Sequence, residues 1–330
     1  MARKIGLLAA VVAIQAGVAV ADDGAAFYKG RTVTYIISAG AGGGYDMYGR
    51  LVAEFMQRNL PGSTFVVRNL PGAGHLIGAN ALYASRPDGL TIGSFSTGLI
   101  YNQISRNSAV QFDLARMSWI GKAASEPRVV LIAAHSPVKT FEDLMARKEP
   151  LKFAASGLGS ASYLEMLMLT NTLRMPLRIL TGYSGNGDQL AMRRGEIDGT
   201  IGSRSSVQQF VANGYGRMIA QIGGSETDVP QLSSFVKDEK ASALISLIRS
   251  QGDIARLTAG PPNIPRERLD TLIEAYRKAM NDRDLQARAE KFGFPVEPAY
   301  GDEVLRIVMS ALDQSEETRK LLAESLRKQE

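Results

Sequence analysis

Thr32-Val-Thr-Tyr-Ile-Ile-Ser38 runs straight into Ala39-Gly-Ala-Gly-Gly-Gly-Tyr45, and an amphipathic segment begins at Asp46. The first part is β-branched and aromatic, which favours a strand. After the loop, Met47, Leu51, Val52, Phe55 and Met56 recur at helical spacing until Pro61-Gly62 stops the helix. A small-residue loop that enters a helix leaves backbone N–H groups unpaired at the positive end of the helix dipole, which is a ready anion site. A second passage of the same design lies about 115 residues on: Leu151-Lys-Phe-Ala-Ala155, then Ser156-Gly-Leu-Gly-Ser-Ala-Ser162, then a helix-like run from Tyr163 to Leu173. Two such cradles on separate lobes suit a ligand with a carboxylate at each end.

Working outward, a strand at Phe65–Val67 is followed by the turn Leu70-Pro-Gly-Ala-Gly74 and a second helix carrying Leu76, Ile77, Asn80, Ala81 and Ala84. Arg86-Pro-Asp-Gly89 turns the chain into a third strand, Leu90–Phe95. This is β-α-β-α-β, which implies parallel pairing with helices on both faces of the sheet. Near Ala123 the alternation restarts. Strands are expected at Val129–Ala133, Phe153 and Arg178–Thr181, with helices at Thr140–Lys148, Tyr163–Leu173 and Gln189–Arg194. Ile254–Ala259 reads as a further strand, and Gly260-Pro-Pro-Asn-Ile-Pro265 breaks the chain before three charged helices that should return to the first lobe. The expected fold is therefore α/β, with two Rossmann-like lobes, a hinge and an interlobe cleft. Residues 22–124 plus 251–330 form one lobe and 125–250 the other. In open α/β sheets ligands bind beyond the carboxyl ends of the strands, where both glycine loops lie.

At the N-terminus, Arg3 and Lys4 precede an apolar run, Ile5–Ile14, and Ala19-Val-Ala21 supplies a small-x-small cleavage pattern. Residues 1–21 therefore read as a cleavable secretory signal, too short in its apolar core to span a bilayer. The expected location is the periplasm. Loss of Arg3 and Lys4 lowers the formal charge from +5 to +3, too mild to argue for nucleic acid. Cysteine is absent, which excludes disulfides, thiolate metal sites and cysteine nucleophiles.

Several of these stretches together are similar to one family. Ser38-Ala-Gly-Ala-Gly-Gly-Gly-Tyr-Asp46 with Arg50, Val67-Arg-Asn-Leu-Pro-Gly-Ala-Gly74 with Ile77-Gly78, and Pro87-Asp-Gly-Leu-Thr91 resemble the substrate-binding components of tripartite tricarboxylate transporters, the Bug family. The resemblance continues through Phe153–Ser160, Tyr183-Ser-Gly-Asn-Gly-Asp188 and Gly195-Glu-Ile-Asp198. It implies a type II periplasmic-binding-protein fold that captures a small organic anion, such as a di- or tricarboxylate, an acidic amino acid or an aromatic carboxylate. It also implies delivery, by a monomer, to membrane permease subunits. Carried over by position, ligand contact is expected from Ala39, Gly40, Gly42, Gly43, Gly44, Tyr45 and Asp46, and from Ser156, Gly157, Gly159, Ser160 and Ser162. Ser94, Thr97, Tyr183, Asn186 and Gly187 are also expected to face the cleft. Where the family commonly has a proline before its first glycine pair this chain has Gly40 and Ala41, and Tyr163 stands where a histidine is frequent.

Arg204, in Gly202-Ser-Arg-Ser-Ser206, is either a surface charge or a bidentate clamp on a distal carboxylate. Asp46 is either an N-cap or a partner for a ligand hydroxyl or ammonium. Asn69 and Gly72–Gly74 are read as shaping a turn. Enzyme readings lack their residues. Tyr45 occupies the last glycine position of a dinucleotide fingerprint, no Gly-Lys-Ser/Thr follows either loop, and Gly182-Tyr-Ser-Gly-Asn186 misses the final glycine of a nucleophile elbow. His75 and His135 have no acidic neighbours at metal-ligand spacing, so no metal, cofactor or catalytic residue is expected. The competing readings are a sensory module that presents its ligand to a receptor and a periplasmic hydrolase.

Overall fold

The computed structural model describes residues 24–326; the proposed signal segment lies outside them. In chain order the first part contains α1 (Gly24–Tyr28), β1 (Thr32–Ile37), α2 (Gly44–Arg58), β2 (Thr64–Asn69), α3 (Leu76–Tyr83), β3 (Thr91–Phe95), α4 (Gly98–Ile104) and β4 (Ser118–Ala124). A second part holds β5 (Arg128–Ala133), α5 (Phe141–Met145), β6 (Leu151–Ala155), α6 (Ala161–Leu173), β7 (Leu177–Thr181), α7 (Gly187–Arg193), β8 (Gly199–Ser203), α8 (Arg204–Ala212), β9 (Gly216–Ile222) and α9 (Glu239–Gly252). The chain then returns through β10 (Ala255–Gly260), α10 (Arg266–Met280), α11 (Arg283–Phe292), β11 (Ala299–Tyr300), α12 (Asp302–Leu312) and α13 (Glu316–Ser325).

Two sheets result, in the orders β11-β4-β10-β3-β1-β2 and β7-β6-β8-β5-β9. β2, β1 and β3 pair in parallel, as β-α-β-α-β connections require. β10 re-enters from the other lobe and so runs antiparallel to both β3 and β4, while β4 leads out towards that lobe. Each sheet is covered on both faces. The α2 stripe of Leu51, Val52, Phe55 and Met56 packs with Tyr276 and Met280 of α10 on one side of the first sheet. Leu76, Leu99 and Val308 cover the other. At about 1.5–3 kcal/mol per fully buried large side chain, such stripes, not intrinsic propensity, hold these helices in place.

The lobes are joined by residues 124–128 and 252–255, and the Glu126 N–H donates to the Gly252 carbonyl at 2.8 Å, so the two crossings brace each other. A third crossing, at 312–316, was not expected. Instead of staying with the first lobe, α13 lies against α6 and α9, with Leu322 fully buried in the second lobe's core. Its apolar face finds there an uncovered stripe of Leu167 and Leu247.

Candidate functional site

α2, α6 and α8 all begin at one cavity of about 280 Å³ between the lobes, lined at these places by Gly43–Tyr45, Ser160–Ser162 and Ser203, Ser205 and Ser206. The shorter α7 adds Asn186, Asp188 and Gln189. Each start is local sequence at work. Gly42 takes φ +83°, a left-handed turn that L side chains disfavour. Ser160 caps α6 by accepting the Tyr163 N–H at 3.3 Å.

The opposing walls touch at several places, among them Arg256 Nη2, which donates to Ser206 Oγ at 2.9 Å, and both glycine loops. The Gly40 N–H donates to Ser184 Oγ at 3.0 Å, and Asn102 Nδ2 of α4 donates to the Gly159 carbonyl at 2.8 Å. A Cβ on Gly43 would lie 2.6 Å from the Gly185 carbonyl oxygen, and one on Gly159 2.8 Å from that of Ala73. Only glycine fits these close approaches between the lobes.

Arg128 is the arginine on the cavity wall, and it is already committed. It holds Glu165 at 2.7 Å and donates from Nη1 to Ser203 Oγ at 2.9 Å, with both charged side chains almost fully buried. Burial acts to lower the Arg128 pKa, but Glu165 more than offsets this and keeps the guanidinium charged. Behind the wall, Arg256 pairs with Glu126 at 2.7 Å and lies over the Tyr45 ring, 4.3 Å from its centroid. His75 also lines the cavity, and burial pushes its pKa down to about 4, so its ring is neutral and Nδ1–H donates to the Ser38 carbonyl at 2.9 Å. Among the described residues, the cavity thus presents helix N-termini, hydroxyls, amides and one carboxylate, Asp188, with no unpaired cation. Such a surface takes an anion by hydrogen bonding and dipole, without an ion pair.

Of the residues expected from sequence, Ala39, Gly40, Gly42, Gly43, Gly44, Tyr45, Ser156, Ser160, Ser162, Tyr183 and Asn186 line this cavity. The others do not. Asp46 is buried and accepts from Gly42 N–H, Arg50 and Asn69 at 2.8–2.9 Å, so it staples the loop. Those bonds outweigh its desolvation and lower its pKa. Ser94 sits in the sheet beneath Gly49 and Thr97 at the start of α4, while Ser96 between them reaches the cavity. Gly157 and Gly159 turn towards Gly74 and Ala73, and Gly187 is the first residue of α7. Arg204 is no clamp. It pairs with Asp228 at 2.5 Å and donates to Gln221, away from the cavity. Sequence reading missed Arg128, Glu165, His75, Ser96, Asp188 and the α8 serines. A lone charge inside an apolar run, as in Arg128-Val-Val-Leu-Ile132 or Leu164-Glu-Met166, was the available signal for the ion pair.

Among the described residues no helix is long and apolar enough to cross a membrane. The fold is shared with solved periplasmic binding proteins. BugD matches with a TM-score of 0.77 at 20% identity, covering 90% of this chain and 98% of that one. MatC from Rhodopseudomonas palustris, with bound malate, matches with a TM-score of 0.73 at 19% identity, over 90% and 99%. A further Rhodopseudomonas palustris protein, with adipate, gives 0.72 at 17% identity, over 88% and 97%. The profile of the tripartite tricarboxylate transporter family receptor matches residues 49–324, nearly the whole of the described chain, and the protein belongs to this family of binding proteins, which are not enzymes.

Proposed function

We propose that the protein captures a small organic carboxylate between its lobes, outside the cytoplasm, and delivers it to a membrane permease of the tripartite tricarboxylate type. The observation that carries this reading is the convergence of three helix N-termini on a cavity whose arginine is already paired. The malate and adipate held by two proteins of the same fold point the same way. Ligand bridging both walls stabilises the closed state, and only closed protein docks productively. Each charge-assisted hydrogen bond contributes about 1.5–3 kcal/mol net, so four or five outweigh the ordering cost of micromolar binding.

The test is a melting assay against a carboxylic-acid panel, followed by recovery of the ligand. One acid should raise Tm by several degrees at about 100 times Kd, a linkage gain of roughly 2.7 kcal/mol, and should be recovered unchanged. A shift with a neutral sugar and none with any acid would overturn the ligand class. An acid recovered as product would overturn the function. For delivery, adjacent genes for a large and a small multi-span membrane subunit are expected.

A further inference from the structure

Among the described residues, the charges around the cleft cancel in pairs with one exception. Arg128 is matched by Glu165, Arg256 by Glu126, and Asp46 by Arg50, while His75 is neutral. Asp188 has no such match. It lines the cavity from the first turn of α7, on the wall facing the first glycine loop, and its Oδ1 accepts the Gln189 N–H at 2.8 Å. Its polar partners are backbone only, and no arginine, lysine or histidine among the described residues pairs with it. Burial alone pushes its pKa up to about 6.

A carboxylate in a first helical turn complements the helix dipole, and a solvated one would need no other explanation. Here the group is partly buried on the wall of an anion cavity, where it repels the ligand in a medium that screens poorly. That placement favours a ligand that brings its own positive charge. A ligand hydroxyl would donate a hydrogen bond yet leave the buried charge uncompensated, whereas an ammonium supplies both.

We propose that Asp188 makes the site selective for an amino acid, by receiving the ligand's ammonium on its free carboxylate oxygen while the helix N-termini hold the carboxylate. The proposal rests on the carboxylate reading of the cleft and narrows it from organic acids in general to those with a protonated amine. It assigns Asp188 a direct ligand contact that has no counterpart in Arg204 or Asp46, whose charges are used within the fold.

The experiment compares acids that share a skeleton and differ in one substituent: aspartate, malate and succinate; glutamate, 2-hydroxyglutarate and glutarate; phenylalanine, phenyllactate and phenylpropionate. Affinities are measured by calorimetry for the wild-type chain and for Asp188→Asn. In the trio that binds, the amino acid should be at least tenfold tighter than the unsubstituted acid. Asp188→Asn should erase that preference while binding the unsubstituted acid as well or better, a gain that a damaged fold would not produce. A hydroxy or unsubstituted acid that binds tightest to the wild type, or an amino preference that survives Asp188→Asn, overturns the role of Asp188 and leaves the cleft a carboxylate site. Absence of binding by every acid in the panel overturns the carboxylate reading and this proposal with it.

Discussion

The two glycine loops look alike in sequence and do different work. In the first, Gly40, Gly42, Gly43 and Gly44 all line the cavity, so backbone is what this wall presents. In the second, Gly157 and Gly159 turn away to let the lobes meet, and Ser156, Ser160 and Ser162 face the cavity instead. Their supports differ as well. The first loop rests on a neutral histidine, through the bond from His75 to Ser38, and the second leads into a helix that carries one half of a buried ion pair. A shared composition therefore fixes a strand-to-helix turn but not which atoms the turn offers a ligand.

The largest effect should come from the support of the second loop. Glu165→Gln leaves the Arg128 guanidinium buried without a counter-charge, which costs about 3–5 kcal/mol when one partner of such a pair is removed. The Tm should fall by roughly ten degrees. Tyr101 of the first lobe also contacts Glu165, at 3.4 Å, so ligand affinity should fall with stability. A Tm within two degrees of wild type would mean that the pair is dispensable and that the two loops are supported alike.

The first loop's support predicts a pH signature. His75 has its pKa lowered by burial from 6.5 to about 4, so between these values the unfolded chain binds the extra proton. Its contribution is complete above pH 6.5 and is lost as pH falls to 4, in total about 3 kcal/mol at 1.36 kcal/mol per unit. Asp188 acts with the opposite sign, since its raised pKa makes the folded chain the better proton binder between 3.8 and about 6. The difference between wild type and His75→Asn cancels that term. Asn also tolerates the left-handed φ of +83° at this position. Denaturant titrations across pH 4–7 should show the difference shrinking as pH falls; a flat difference would remove the neutral histidine from the account.

What sequence made legible follows the same division. The alternation of β1 to β3 with α2 and α3 could be read because each element carries its own periodicity and its own stop, such as Pro61-Gly62. The alternation places a glycine loop at the end of β1, and the family resemblance points to Ala39–Asp46, of which Ala39, Gly40 and Gly42–Tyr45 line the cavity. Side-chain direction was not legible. Ser94, Ser96 and Thr97 sit at one strand end, and only the tertiary arrangement turns Ser96 into the cavity. Arg204 could be read as a surface charge or as a clamp, and Asp228, across a loop, takes its charge. The Arg128–Glu165 pair joins positions 37 residues apart, and nothing local marks them as partners. The amphipathic face of α13 states that it must be covered, not by which lobe.

Next in size are the closure glycines. Gly43→Ala and Gly159→Ala keep ordinary φ angles, so each lobe should still fold, with Gly43→Ala losing up to about 1 kcal/mol because Gly43 caps α2. Each new methyl meets a carbonyl of the opposite lobe and holds the cleft open. We expect ligand affinity to fall at least tenfold in both, with scattering profiles that stay extended at ligand saturation. The variants sharpen the comparison because Gly43 also lines the cavity and Gly159 does not. Normal affinity in Gly159→Ala would show that the second loop's glycines are ordinary turn residues.

The smallest effect concerns how the two helices start. α2 begins at Gly43 with no side-chain cap, whereas α6 begins at Ser160, whose Oγ accepts from Tyr163 N–H and donates to the Gly157 carbonyl at 2.7 Å. Ser160→Ala should cost about 1 kcal/mol, and Ser160→Gly only a few tenths, because glycine is itself an acceptable cap and alanine is not. That ordering distinguishes two roles for the hydroxyl. As a cap it follows the helix-capping scale, with Gly milder than Ala. As a brace for the Gly157 turn it is lost equally in both, and Gly adds the cost of a more flexible unfolded chain, so Gly should be the worse variant. Chemical denaturation of the two variants side by side decides between these roles. A milder Ala would move Ser160 from capping α6 to shaping the loop, and would bring the second loop closer to the backbone-built design of the first.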